Sequence, residues 1–337
     1  MHAMTPTVTI IVPCYNEQAT IRALLDAVMA QTYPLEKLDV VISDGLSTDG
    51  TRAVLSAFQR EHPELPLQVV DNTVRTIPSG VNRAIDAARG EIILRLDAHS
   101  MPYPDYVARC VQALEQGLGA NVGGVWEIRP GASTWVADSI AAAAAHPLGV
   151  GDALYRLAPA AGAVDTVPFG AFRRSLIDKI GKYDETLLSN EDYEFNTRVR
   201  QSGGTVWLDP AIRSVYFSRS TFGALARQYW RYGFWKLRML RRYPSTLRWR
   251  QALPPVFVLS LVGLFLLGLR LYPFLWLLGT EILIYLSVML LAGIRAAQKR
   301  HKPLLVIGLP LAIATMHLSW GSGFLWSLLT SLVRKNG

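Results

Sequence analysis

Two side chains with metal-ligand chemistry close one apolar run. Ile92-Ile93-Leu94-Arg95-Leu96 leads into Asp97-Ala98-His99-Ser100, and an apolar stretch of that length reads as a buried parallel strand. Asp97 and His99 then sit at its carboxyl end, the edge of an open α/β sheet where ligands bind. A carboxylate and an imidazole two residues apart can share one cation, and a divalent ion there would hold a diphosphate. Taken alone, the pair reads rather as an Asx-type turn capped by Asp97 beside an exposed histidine, so its surroundings must decide.

Further acids carry possible chemistry. Glu17 and Asp44 each follow a strand-like run, as Asp97 does, and carboxylates at one sheet edge can accept hydrogen bonds from base N–H groups and ribose hydroxyls. In Ser189-Asn190-Glu191-Asp192-Tyr193-Glu194-Phe195 the acids open a helix, where the helix dipole favours them without any catalytic purpose. A carboxylate is also the group that takes a proton from an attacking hydroxyl.

The elements that must position these groups alternate. Val8 to Val12 is a strand breaking into Pro13-Cys14-Tyr15-Asn16-Glu17, and Thr20 to Ala30 has helical spacing. Leu38 to Ile42 is a second strand, ending in a turn-rich segment that feeds a helix from Arg52 to Glu61. Leu67 to Val70, a helix over Pro78 to Ala88, and the strand Ile92 to Leu96 complete the pattern. Such alternation predicts an α/β fold with a mostly parallel sheet and flanking helices. No G-x-G-x-x-G follows any of these strands, which argues against a dinucleotide-binding domain.

These segments together resemble the family 2 glycosyltransferases of the GT-A fold. The matching runs are Ile11 to Glu17, Asp44 to Thr51, Asn82 with Ala88-Arg89-Gly90-Glu91, and Asp97-Ala98-His99. The resemblance implies that Pro13, Tyr15, Glu17, Asp44, Asn82 and Asp97 bind the donor. It places Asp97 and His99 at the metal motif D-x-D, with Mn²⁺ or Mg²⁺ as cofactor, and makes Asp192 the general base, with Glu191 on the acceptor side. The chain departs from the family twice: only Asp44 is kept of the usual Asp-Asp-Gly-Ser run, and His99 replaces the last Asp of D-x-D.

In the middle of the chain Val122 to Ile128 reads as a strand. Ala137 to Ala145 is a helix of small residues, lying under a substrate groove or simply packed tightly. Val164 to Phe169 resembles the family strand whose end, Gly170 to Phe172, meets the acceptor. Gln228-Tyr229-Trp230-Arg231-Tyr232 resembles the motif Q-x-x-R-W, with Tyr232 for Trp. Gln228, Arg231 and Tyr232 share one helical face and are assigned to the acceptor by that resemblance.

Composition sets the solvent. The 337-residue chain is 50% hydrophobic with net charge +8, and its apolar excess begins at Pro254. Between Asp209 and Glu281 there is no acid, while eleven arginines and lysines fall there; a basic segment directly before an apolar one suits anionic lipid headgroups better than nucleic acid. Three spans are expected, near 252–269, 271–294 and 304–333, the last continuous or broken at Gly321-Ser322-Gly323. Arg295 to Lys302 reads as a basic loop on the cytoplasmic side. Two cysteines without metal or disulfide spacing, and no apolar leader, point to a reducing compartment. The expected domains are a catalytic one over 1–218, a basic amphipathic interfacial segment over 219–250, and a transmembrane one over 251–337.

Within the family the whole chain is most similar to membrane-bound glucosyltransferases of succinoglycan assembly. That resemblance implies inverting transfer of a hexose from a nucleotide sugar, UDP-glucose, to a lipid-linked saccharide at the cytoplasmic face of the cell inner membrane, with membrane lipids as neighbours. A polyprenyl-phosphate sugar synthase is the alternative reaction. A membrane scaffold that senses nucleotide sugars without turnover is the alternative of another class.

Overall fold

The computed structural model describes residues 5–157, 160–246 and 248–333. The described chain packs as two compact units, residues 1–127 with 154–216, and residues 128–153 with 217–337. Residues 334–337, the end of the expected transmembrane domain, lie outside the description.

The first unit is built on a sheet. Its opening elements are β1 (Val8–Cys14), α1 (Ile21–Met29), β2 (Leu38–Asp44), α2 (Thr51–Glu61), β3 (Leu67–Asp71), α3 (Ile77–Ala87), β4 (Ile92–Arg95), β5 (Ser100–Pro102) and α4 (Tyr106–Glu115). After β6 (Asn121–Arg129), α5 (Trp135–Ala144) and the short α6 (Pro147–Val150) come β7 (Gly162–Ala163), β8 (Ala171–Arg173), α7 (Ser175–Ile180), α8 (Glu191–Gln201) and β9 (Val206–Phe217). Strand order is β3-β2-β1-β4-β8-β6-β9-β5, with β7 on β9.

The first four strands in that order are parallel, as βαβ alternation requires. From β8 onward pairing is antiparallel, β8 lying between β4 and β6 and β5 joining β9. Val164 to Phe169 is not the strand expected there. Phe169 has φ 51°, which ends extended structure, and pairing begins only beyond Gly170.

Period-two alternation divides the core between two faces. Ile10, Val12, Val40, Ile42, Ile92 and Leu94 pack with α1, α2 and α4. Ile11, Val41 and Ile93 pack with α3 and α8 through Val81, Ala84, Phe195 and Val199. Residue 95 has the parity of Ile93, so the strand itself turns Arg95 toward α8.

The second unit is helical: α5 and α6 pack with α9 (Phe222–Arg242), α10 (Trp249–Gly268), α11 (Pro273–Arg300) and α12 (Leu305–Val333). Among the described residues α10, α11 and α12 are long and apolar enough to cross a membrane. The expected loop at Arg295 is helical as far as Arg300, because Ala292 and Ala297 join the buried core; His301, at φ 53°, is the left-handed stop. α12 runs unbroken through Gly321-Ser322-Gly323. Those glycines face neighbouring backbone: a Cβ on Gly321 would lie 2.4 Å from the Pro254 carbonyl oxygen, and one on Gly323 2.3 Å from that of Trp230. The small-residue helix α5 also packs tightly, with Ser139 against Gly308 and Asp138 bonded to Lys302 at 2.6 Å.

Candidate active site

The loops after β1 and β2 are laced together. Asn16 N–H donates to Ser47 Oγ (2.8 Å) and Asn16 Oδ1 accepts from Thr48 N–H (2.8 Å). Glu17 N–H donates to Thr51 Oγ1 (2.8 Å), and Gly50 N–H to Gln18 Oε1 (2.9 Å). These bonds satisfy backbone groups of two irregular segments that have no ladder partner. Asn16 and Leu46 take positive φ, 55° and 59°, in the tight corners this requires.

Asp44 is fully buried at the end of β2. It accepts from Ser47 N–H (3.1 Å), Ser47 Oγ (2.5 Å) and Arg52 Nε (2.5 Å). Arg52 also donates to Asp71 (2.5 Å), the residue in register with Asp44 on β3. The sheet edge therefore presents an Asp44–Arg52–Asp71 group, of which the sequence pointed to Asp44 and not to Arg52 or Asp71. Nearby Pro13 lies within β1, and Tyr15 is exposed at 47%.

Asn82, expected beside the donor, is buried with its amide already matched. It donates to the Tyr183 carbonyl and to Glu185 (both 2.9 Å) and accepts from Tyr183 N–H (2.9 Å). It holds the segment leading toward α8 against α3, and is a scaffold residue in this arrangement.

The centre of the site is a residue that sequence reasoning passed over. Arg95, only 2% exposed, donates to Asp192, to Asp97 (3.2 Å) and to Glu191 (3.3 Å). Its guanidinium thus joins the end of β4 to the first turn of α8. The signal was present in the sequence, since a charged residue inside an apolar strand must find partners. With all three carboxylates ionised, the cluster around one guanidinium carries an excess of two negative charges. Burial pushes the Asp192 carboxyl up to about 7; Arg95 opposes this, and the charges of Glu191 and Asp97 add to it.

His99 Nδ1 lies 3.1 Å from Glu17 Oε1, while Thr20 Oγ1 donates to the other carboxylate oxygen (2.5 Å). Among the described residues no cluster of three or more His, Cys, Asp or Glu is gathered as a metal cage. What this stretch offers a cation is the Asp97 carboxylate and, two residues on, the His99 imidazole. That donor set fits a hard divalent ion that keeps some of its ligands from water or phosphate. Cys14 is no nucleophile, because burial, and then Asp44, Glu17 and Asp49, push its thiol up to about 12.

Phe169 and Asn190 also have positive φ, at 51° and 66°, immediately before Gly170 and Glu191. Non-glycine residues in that region persist only where surrounding structure holds them, and they concentrate at functional sites. Gly170 is required sterically: a Cβ would come 2.1 Å from Asn121 Oδ1, and the Gly170 carbonyl accepts from Arg95 N–H (3.1 Å). In the second unit, Gln228 donates to the Tyr232 hydroxyl (2.8 Å) on α9, the same helix that carries Arg231.

A sheet of this order, with acids gathered at the ends of its parallel strands, is the GT-A glycosyltransferase fold. Residues 9–181 match glycosyl transferase family 2, and the chain belongs to that family. It is 29% identical over 329 residues to the succinoglycan biosynthesis protein ExoA of Rhizobium meliloti, covering 97% of this chain and 96% of that protein. A dolichyl N-acetyl-alpha-D-glucosaminyl phosphate 3-beta-D-2,3-diacetamido-2,3-dideoxy-beta-D-glucuronosyltransferase of Methanococcus voltae is 26% identical, covering 96% and 97%. The mannosyltransferase PcManGT of Pyrobaculum calidifontis, solved with GDP-Man and Mn²⁺, shares the fold with a TM-score of 0.58 at 22% identity, over 93% of this chain and 88% of that one.

Proposed function

We propose that this family 2 enzyme transfers a hexose, with inversion, from UDP-glucose to a lipid-linked saccharide in exopolysaccharide or glycolipid assembly. The reading places the catalytic part over 1–218, the interfacial segment over 219–250 and three spans beyond it, with catalysis at the cytoplasmic face of the inner membrane. Likeness to the succinoglycan biosynthesis protein ExoA along nearly the whole chain supports the pathway class. The observation that carries the chemistry is the Arg95 bridge, which keeps Asp97 and Asp192 on one guanidinium.

In this mechanism Asp192 takes the proton of the acceptor hydroxyl as its oxygen bonds the anomeric carbon and the bond to the diphosphate breaks. Glu191 and Gly170 are assigned to the acceptor, and the likeness of Gln228, Arg231 and Tyr232 to the motif Q-x-x-R-W assigns them to it as well. Pro13, Tyr15, Glu17 and Asp44 surround the nucleotide. Asp97 and His99 would hold Mn²⁺ or Mg²⁺, which when bound supplies positive charge for the departing diphosphate. Arg95 holds the base in place and limits the repulsion among the three acids.

The test is release of UDP from UDP-glucose by the purified full chain with membrane lipids, repeated with Asp192→Asn. Loss of acceptor-dependent release supports the proposal. Unchanged transfer in Asp192→Asn would instead indicate a polyprenyl-phosphate sugar synthase, whose acceptor is already an anion. Donor binding with no turnover in wild type would indicate a nucleotide-sugar-sensing scaffold.

A further inference from the structure

Helices α9 and α12 meet backbone to backbone. A Cβ on Gly233 would stand 2.0 Å from the Trp320 carbonyl oxygen, and the Gly323 position is equally closed by Trp230. Small residues at a crossing let two helices approach this closely. Beside that contact the short side chains of Ala226 and Ser319 leave a cleft of about 390 Å³, lined also by Arg227, Trp230 and Arg231. Arg227 and Arg231 stand four residues apart, so both lie on one face of α9, and both are exposed.

We propose that this cleft binds the phosphate of a lipid phosphate ester, the head of a lipid-linked acceptor, with the adjoining hydrocarbon along its apolar wall. The inference rests on the reading that the acceptor is lipid-linked. Two guanidiniums on one face suit the geometry of phosphate oxygens, which arginine engages in bidentate fashion. The Trp230 indole beside them offers a flat apolar face to a lipid chain and one N–H donor to its polar end. One wall, α12, is long and apolar enough to span a bilayer, while the other, α9, is amphipathic and basic.

Free inorganic phosphate fits this site poorly, because the lining is mainly carbon. Bulk anionic lipid needs no cleft, since exposed arginines farther along α9, Arg241 and Arg242, serve a diffuse surface attraction. An open cleft beside the glycine crossing gives one lipid a fixed seat.

The test uses the full chain in zwitterionic nanodiscs, with a short-chain polyisoprenyl phosphate titrated and bound lipid counted by native mass spectrometry. Arg227→Gln, and Ser319→Trp, which fills the cleft, are each expected to weaken binding at least tenfold. Arg242→Gln, an equal loss of charge outside the cleft, is expected to change it less than twofold. Phosphatidylglycerol at equal mole fraction is expected not to displace the polyisoprenyl phosphate, and pyrophosphate alone is expected to bind far more weakly. The proposal is overturned if Arg242→Gln weakens binding as much as Arg227→Gln, if phosphatidylglycerol competes equally, or if both cleft variants bind as wild type does. Thermal stabilisation by UDP with Mn²⁺, measured on the same preparations, reports the donor side separately. Its failure in wild type would count against the proposed transferase, while the lipid titration would still judge the cleft.

Discussion

Arg95 and Asp192, 97 positions apart in sequence, form a direct ion pair at the junction of β4 and α8. The arginine is almost wholly enclosed, whereas Asp192 and Asp97 keep about 30% of their side-chain surface open. A buried cation is thus the internal anchor for two acids that still reach solvent. The same pair sets the position of the proposed base and the electrostatic state of the donor end.

Replacing Arg95 by methionine keeps length and removes charge. Three carboxylates then face one another without a counterion, and losing one partner of a buried pair typically costs about 3–5 kcal/mol. Because two of the acids are partly hydrated, the lower end, about 3 kcal/mol, is expected in chemical denaturation. Arg95→Lys is expected to recover only part of this, since a single ammonium cannot reproduce a fork that reaches three acids. Stability equal to wild type in Arg95→Met would show that the cluster is not held by this charge.

Asp192→Asn is expected to lower acceptor-dependent turnover by about 10²- to 10⁴-fold, the usual share of a general base. UDP binding should change little, because Arg95 retains Asp97 and Glu191.

The same residue sets a pH dependence. A carboxyl raised to about 7 by burial acts as a base only when deprotonated, so turnover is expected to rise between pH 6 and pH 8 with a midpoint near 7. Stability has the opposite sign. Between the ordinary value of 3.8 and about 7 the folded protein holds a proton that the unfolded chain releases, so this group makes stability fall as pH rises through that window. A rate profile flat from pH 6 to 8 would remove Asp192 from the proton-transfer step.

Mn²⁺ is expected to raise the melting temperature in the presence of UDP, since a ligand at 100 times its dissociation constant stabilises by about 2.7 kcal/mol. Asp97→Asn and His99→Ala should each diminish that increment. Glu17→Gln should diminish it less, acting through the His99 ring that it faces at 3.1 Å.

Gly233→Ala tests the helical unit independently of catalysis. The new methyl would lie 2.0 Å from the Trp320 carbonyl, and backbone on a packed helix cannot withdraw as a side chain can. Overpacking of this sort costs about 1–3 kcal/mol. The expected result is a lower melting temperature in detergent with UDP binding intact.

Strand periodicity, the βα alternation and the long apolar C-terminal segments were legible in the chain because each depends on neighbours within a few residues. Burial demands apolar runs of fixed period, and a membrane demands apolar length. Asp97, His99 and the acids opening α8 are visible by type and position, but only the resemblance to the family gave them roles. What only the tertiary structure decided was their pairing: that Arg95 bridges Asp97 to Asp192, that Arg52 joins Asp44 to Asp71, and that Asn82 ties down Tyr183. Those contacts link residues on separate elements, and no local pattern encodes which buried charge will meet which. Gly170, Gly233 and Gly323 belong with them, since their need for a bare Cα comes from whatever packs against it. Local sequence determined the elements and the chemical groups available, while close packing selected which groups share one electrostatic environment.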